Sequence, residues 1–176
     1  MSEVYKTHEG GLFFVTFSVV GWLDVFIRTE YQNILIDNLI FCQKQKGLLL
    51  YEYCVMPSHV HMIAARTHGK LSDVLRDFKS YTAKKLIECI KTNLYESRRE
   101  FLLKEFRKFG ALSSQKQDNQ FWQHENHAFS LESNKMIDQE IKYIHQNPVV
   151  AGFVDESWKW RLSSANLSSP VKVLEL

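Results

Sequence analysis

Cysteine is scarce in this chain and carries no pattern. Cys42, Cys54 and Cys89 are odd in number and show no CxxC spacing, which excludes a disulfide framework or a zinc knuckle and predicts buried thiols in a reducing compartment. Long hydrophobic runs are also missing. The most apolar stretch, Leu12 to Ile27, is interrupted by Thr16, Ser18, Gly21 and Asp24 and is too short and polar to span a bilayer. No basic segment followed by an apolar core opens the chain, so a cytoplasmic protein without membrane association is expected. Net charge is small, +2 at pH 7, and does not by itself imply a nucleic-acid partner. Walker loops, Rossmann glycine fingerprints and Ser/His/Asp signatures are absent, as are internal repeats and linkers. What remains is a globular composition, 45% apolar and 13% aromatic over 176 residues, which fits a single domain spanning 1–176.

Periodicity supplies the order of elements. Leu12 to Val20, opened by Gly10-Gly11, reads as a buried strand. Thr29 to Lys46 places Tyr31, Ile34, Leu35, Leu39 and Ile40 near helical spacing and is stopped by Gly47. Leu48 to Met56 and 59–65 read as two strands joined through Pro57-Ser58, close enough to pair antiparallel. Leu71 to Ile90 is an amphipathic helix with Ser72 as its expected N-cap. Glu96 to Phe109 repeats helical spacing, with Gly110 as its stop, and a polar loop runs to Asn119. Phe121 to Leu131 looks extended. Ser133 then caps a last helix expected to end before Pro148, and a Ser-rich tail follows. Strand, helix, strand, strand, helix and a later strand predict an α+β fold, an antiparallel sheet covered by helices, ferredoxin-like (RRM-like) in character.

Charge is concentrated in the middle of the chain. Between Arg66 and Lys85 stand Arg66, Lys70, Arg76, Lys79, Lys84 and Lys85 against Asp73 and Asp77 alone. Lys91 to Lys108 adds Lys91, Arg98, Arg99, Lys104, Arg107 and Lys108 against three glutamates. Such a block suits a phosphate backbone, and it equally suits a solvated helix face.

The chemistry-bearing feature is His59-Val60-His61. On a strand, side chains at i and i+2 leave the same face, so the two imidazoles project side by side while Val60 points to the opposite layer. Two imidazoles on a rigid strand are half of a divalent-metal site, although a bare pair of this kind is more often two surface histidines. A second half is available on the last helix. Its apolar stripe is Ile137, Ile141 and Ile144, and Tyr143 lies roughly 120° off that stripe. Asn147 follows one turn beyond Tyr143 on the same flank. Tyr81, beside Lys79, Lys84 and Lys85, is a rival tyrosine, but it lies next to Phe78 on an apolar stripe where packing is natural. His124 and His127, if extended, point to opposite faces. His145 reads as structural, and Glu52 as a paired sheet carboxylate.

Several motifs occur together in a telling order: Pro57-Ser58-His59-Val60-His61-Met62-Ile63, a basic helix holding Lys79-Ser80-Tyr81-Thr82, then Phe121-Trp122, then Tyr143-Ile-x-x-Asn147-Pro148-Val149, then Trp158-x-Trp160 ahead of Ser163-Ser164. Over roughly residues 10–165 the chain resembles the IS200-like single-tyrosine HUH transposases, and within them the REP-associated tyrosine transposase branch. The resemblance implies an HUH endonuclease fold, Mg²⁺ or Mn²⁺ held by His59 and His61 with Asn147 as third ligand, and Tyr143 as nucleophile. The interval from His61 to Tyr143 is long for the branch, and the excess is assigned to a basic helical insertion around 91–119.

The expected activity is cleavage and rejoining of single-stranded, hairpin-bearing DNA through a 5′-phosphotyrosine bond. Arg66, Arg76, Lys79, Lys84 and His124 are expected along the DNA, with Trp122 and Tyr81 stacking on bases. Relatives in the wider family act as dimers, which leaves a homodimer open. Two other readings compete: a hairpin-binding protein that no longer cleaves, and a metal-dependent phosphodiesterase that activates water.

Overall fold

The structure is a computed structural model that describes residues 7–124 and 127–176. Its strands are β1 (Phe13–Ser18), β2 (Leu48–Val55), β3 (His59–Arg66) and β4 (His127–Ser130). Its helices are α1 (Thr29–Gln45), α2 (Leu71–Thr92), α3 (Arg99–Leu112) and α4 (Asn134–Val150). The strands form one sheet in the order β2-β3-β1-β4, with every neighbouring pair antiparallel. That is the βαββαβ order of a ferredoxin-like fold, as the periodicity predicts. No helix among the described residues is long and apolar enough to cross a membrane.

Alternation along the strands divides the sheet between two layers. Phe13, Val15 and Phe17 of β1 and Val60, Met62 and Ala64 of β3 join Leu35, Leu39, Val74, Phe78 and Leu86 of α1 and α2 in the main core. Phe14, Cys54, Met56 and Ile63 face the other way and pack with Leu131 and with Ile144 of α4. β2 keeps both layers supplied through a bulge. Leu50 pairs with Ala64 and Glu52 with Ile63, so Tyr51 is the extra residue. The bulge reverses the parity of the strand. Leu48 and Leu50 before it, and Tyr53 and Val55 after it, therefore all reach the main core, and Glu52 and Cys54 are left on the α4 face.

Several local expectations are corrected. Ser72 does not cap α2. Lys70 stands at the N-cap without a side-chain bond, and the Ser72 N–H donates instead to Thr7 Oγ1 at 3.0 Å. Gly110 does not stop α3, which runs on to Leu112. A side chain there would press on the Gln117 carbonyl and come within 3.0 Å of Asn119 Cα, so the glycine serves the close return of the chain across the helix. α4 passes through Pro148 instead of ending before it. Proline in the last turn forfeits one backbone bond and fits the helical φ, while Ser133 caps the start by accepting from the Met136 N–H. Of the extended 121–131 segment only β4 is strand, with Val19 and Trp122 forming an isolated bridge. Residues 125 and 126, within the His124–His127 segment, lie outside the described residues.

The tail covers the outer edge of β2. Val55 N–H donates to the Leu162 carbonyl, Ser164 N–H to that of Tyr53, and Leu174 N–H to that of Leu50. An edge that would otherwise present unpaired backbone groups is thereby closed.

α3 and the turn before α1 are tied together by one buried carboxylate. Glu96 accepts from Arg28 Nε at 2.8 Å, from the Arg98 backbone N–H at 3.0 Å and side chain Nε at 3.2 Å, and from the Tyr31 hydroxyl at 3.3 Å. Burial alone would raise its carboxyl, but the Arg98 N–H and guanidinium and Arg28 hold it below the ordinary value. Removing it takes the shared carboxylate from two guanidinium groups and a phenol, with the Tyr95 and Asp24 carbonyls left as acceptors for Arg28 and Arg98. Glu96→Ala is expected to cost about 3 kcal/mol of unfolding free energy, read as a lowered urea midpoint with unchanged slope.

Candidate functional site

The α4 face of the sheet brings His59, His61, Tyr143 and Asn147 together in one cleft of about 690 Å³. β3 places the two imidazoles edge to face, ring centroids 4.7 Å apart. The register sets Ser18 opposite His59 and Thr16 opposite His61 on β1, and His127 opposite Thr16 on β4. The cleft is thus floored by a polar row in an otherwise apolar sheet. α4 forms its wall. Met136, Ile137, Ile141 and Ile144 pack on the sheet, which leaves Tyr143 47% exposed with its ring 5.1 Å from that of His61 and 5.9 Å from that of Phe14.

Each histidine is held at Nδ1 by a hydroxyl. Thr16 Oγ1 lies 2.6 Å from His61 Nδ1, and Ser58 Oγ lies 3.1 Å from His59 Nδ1. On the far side of the ring, Asn147 Nδ2 is 3.3 Å from His61 Nε2. An amide N–H can only donate, so it requires a lone pair on Nε2, which puts the His61 proton on Nδ1 with Thr16 accepting it. The Thr16 hydroxyl accommodates this tautomer, in which an Nε2 lone pair is turned toward the cleft. Burial, then the adjacent His59, pushes His61 down to about 3. His59 is also lowered, by burial, against the opposing pull of Asn147 and Asp24. Both rings are therefore neutral near pH 7, the form a metal requires. Glu140, one turn before Tyr143, lines the same cleft, and burial raises its carboxyl.

α4 is locked in place by a polar contact on its other flank. His145 Nε2 is 2.7 Å from Glu52 Oε2, and Ser164 from the tail donates to the same carboxylate. Glu52 and His145 thus have the structural roles read for them in the sequence, and the contact fixes the rotation of α4 two residues from Tyr143.

The residues expected along DNA are dispersed. Trp122 is a correction. It is 5% exposed, its ring packs with Phe17, Phe26 and Phe121, and its Nε1–H donates to Thr82 Oγ1 at 3.0 Å. It is a core residue and unavailable for stacking. Arg76, Tyr81 and Lys84 stand on α2, across the sheet from the histidines; Tyr81 and Lys84 line a separate groove between α1 and α2. Arg66 and Arg76 both pair with Asp73. Lys79 donates to the Gln123 carbonyl at 2.9 Å, and burial lowers it to about 8. His124 is 2.8 Å from Ser113 Oγ, and His127 is the histidine of that segment that lines the cleft. Glu140 lines it too, as its place on Tyr143's side of α4 implies. Thr16, Ser18, Trp22 and Gln123 also line it and were not singled out in the sequence. Their presence follows from cross-strand register and loop path, which no local pattern encodes.

Known proteins add to this geometry. Residues 24–104 match the family model described as "Transposase IS200 like", a span that includes the two histidines and ends before Tyr143. Over that span, a little under half of its length, the chain is similar to the IS200-like transposases. Among solved structures it resembles a REP-associated tyrosine transposase bound to a REP hairpin, with TM-score 0.66 and 20% identity over 93% of this chain and 82% of that one. A Deinococcus radiodurans R1 protein assigned as a transposase gives TM-score 0.46 and 17% identity, over 82% of this chain and 98% of that one. No curated protein matches the chain.

The depressed His61 has a measurable consequence. Its folded pKa lies below the free value of 6.5, so between the two the unfolded chain binds the extra proton. The stability it contributes is complete above about pH 6.5 and is lost as pH falls toward 3. In metal-free protein, the urea midpoint of the wild type is expected to drop more steeply from pH 7 to pH 5 than that of His61→Asn. Parallel pH dependences would contradict the buried, neutral ring.

Proposed function

We propose that the chain cleaves and rejoins single-stranded DNA at this cleft, with Tyr143 as the nucleophile and a divalent cation, Mg²⁺ or Mn²⁺, held by His59, His61 and Asn147. The observation that carries the reading is the convergence of a half-exposed tyrosine on a neutral, hydroxyl-oriented histidine pair. The match of residues 24–104 to the IS200-like transposase family model supports the reaction class, and the likeness to the REP hairpin complex supports a hairpin-bearing strand as ligand and the REP-associated branch as the chain's place.

The donor set fits such a cation. Each imidazole has at Nδ1 a hydroxyl able to accept its proton, which leaves Nε2 for a cation, and the Asn147 side chain can present its amide oxygen as a neutral ligand. Among the described residues no group of three or more His, Cys, Asp or Glu offers an alternative metal site. When bound, the cation supplies positive charge to a non-bridging oxygen of the scissile phosphate, which matters here because no lysine or arginine lines the cleft.

Tyr143 Oη attacks phosphorus. The Oη–P bond forms as the P–O3′ bond breaks, which leaves a 5′-phosphotyrosine and a free 3′-OH. The phenolic proton leaves as the bond forms, with Glu140 positioned in the same cleft to accept it, and the departing O3′ takes up a proton. One phosphoester replaces another, so attack by a 3′-OH reverses the step without ATP. On the helical side of the sheet, Tyr81 and Lys84 in their groove and Arg76 beside it offer contacts for the DNA stem, although Arg66 and Arg76 must exchange Asp73 for phosphate to take part. Lys79 ties α2 to the cleft wall at Gln123, and His124 stands at the outer end of that segment.

Incubation with hairpin-bearing single-stranded DNA and Mn²⁺ should give a denaturation-resistant adduct on a gel. Tyr143→Phe should abolish it and Tyr81→Phe should leave it intact. The reverse result refutes the assignment, and cleavage that survives Tyr143→Phe points to activated water. The hydroxyl that orients His61 should matter in its own right: Thr16→Val is expected to weaken Mn²⁺ binding about tenfold, measured by titration calorimetry, with little change in secondary structure.

A further inference from the structure

The turn after β1 places an exposed tryptophan against His59. Trp22 ends a single 3₁₀ turn, Val20–Trp22. It is 59% exposed, and its ring lies 5.4 Å from that of His59, edge to face, at the rim of the cleft. Its backbone has φ of +54°, directly after Gly21 at +61°. Two consecutive left-handed residues are a strained path for a chain that places its largest side chain in solvent.

The strain is held from both sides. Val19 and Val20 are buried and donate to the Ser58 and Phe121 carbonyls, and Phe26 N–H donates to that of Pro57. Arg98, itself bound to Glu96, donates to the Asp24 carbonyl at 2.9 Å. Gly21 lies against α3, where an added Cβ would stand 3.0 Å from the Phe109 ring. The segment read as an insertion thus buttresses the turn that presents Trp22. A flat aromatic surface beside the histidine pair proposed to hold the cation is what an unpaired base stacks on.

We infer that Trp22 is the stacking platform for the base next to the scissile phosphate on the His59 side, and that α3 and Arg98 position it. This rests on the reading of the cleft as a single-stranded DNA site. Trp22 is a specificity and positioning residue in this role: it fixes the strand so that one phosphate sits between the histidines and Tyr143. Stacking tolerates any base, so the platform sets register, and sequence choice is left to other contacts.

The test separates base contact from phosphate contact. Fluorescence anisotropy measures binding of (dT)20 and of an equally long strand of abasic sugar-phosphate units, with Mn²⁺, on a Tyr143→Phe background in which no bond is broken. Trp22→Ala should weaken (dT)20 binding about tenfold and leave the abasic strand unchanged, while Trp22→Phe should retain most of the affinity. Equal loss on both strands, or no loss on (dT)20, overturns the inference. If the parent binds neither strand, this inference and the DNA-site reading fail together. If wild-type protein forms the adduct while Trp22→Ala binds (dT)20 undiminished, only the platform fails.

Discussion

Successive residues of β3 leave opposite faces of the sheet, which commits Val60, Met62 and Ala64 to the core beneath α1 and α2 and sends His59 and His61 to the face beneath α4. A slip of one residue in the pairing of β3 with β1 would bury both imidazoles among Phe17, Leu35 and Phe78 and turn three apolar side chains outward, so the packing that stabilises the fold also selects the site. The same pairing sets Thr16 beside His61, within hydrogen-bond reach of its Nδ1. Core formation and the preparation of two neutral nitrogen donors are one event here.

α4 meets a second requirement, that a tyrosine stay reachable while its helix is firmly seated. Ile144 is fully buried and His145 is bonded to Glu52, yet Tyr143 between Lys142 and Ile144 remains about half exposed. The bulge at Tyr51 supports this arrangement from β2, since it turns Glu52 toward α4 while keeping Tyr53 in the core. Ser164 from the tail binds the same carboxylate. The rotation of α4 is thus set by contacts on its far flank, and Tyr143 makes ring contacts with His61 and Phe14.

Much of this was legible in local pattern. The strand and helix order, the shared face of His59 and His61, and the placement of Tyr143 and Asn147 one turn apart all follow from periods of 2 and 3.6. What was not legible depends on which elements face each other. Basic spacing on α2 says nothing about which side of the sheet α2 covers, and it covers the side away from the histidines. Trp122 reads as an aromatic free to stack on bases until the Thr82 hydroxyl and three neighbouring rings are found around it. Trp22 sits in a short turn without periodicity, and its position over His59 comes from backbone bonds to Ser58, Phe121 and Pro57. Pro148 misleads for a different reason: its ring costs α4 the bond to the Ile144 carbonyl, but the helix runs only two residues further, to Val150, so one lost bond does not end it earlier.

The account stands on Tyr143 and the histidine pair acting on one phosphate. The most direct measurement is mass spectrometry of the protease-digested covalent complex formed with single-stranded hairpin DNA and Mn²⁺. The account requires the nucleotide remnant on the peptide carrying Tyr143, and its disappearance when His59 and His61 are both replaced by alanine. A remnant on Tyr81, or on Tyr143 without dependence on the histidines, would contradict it.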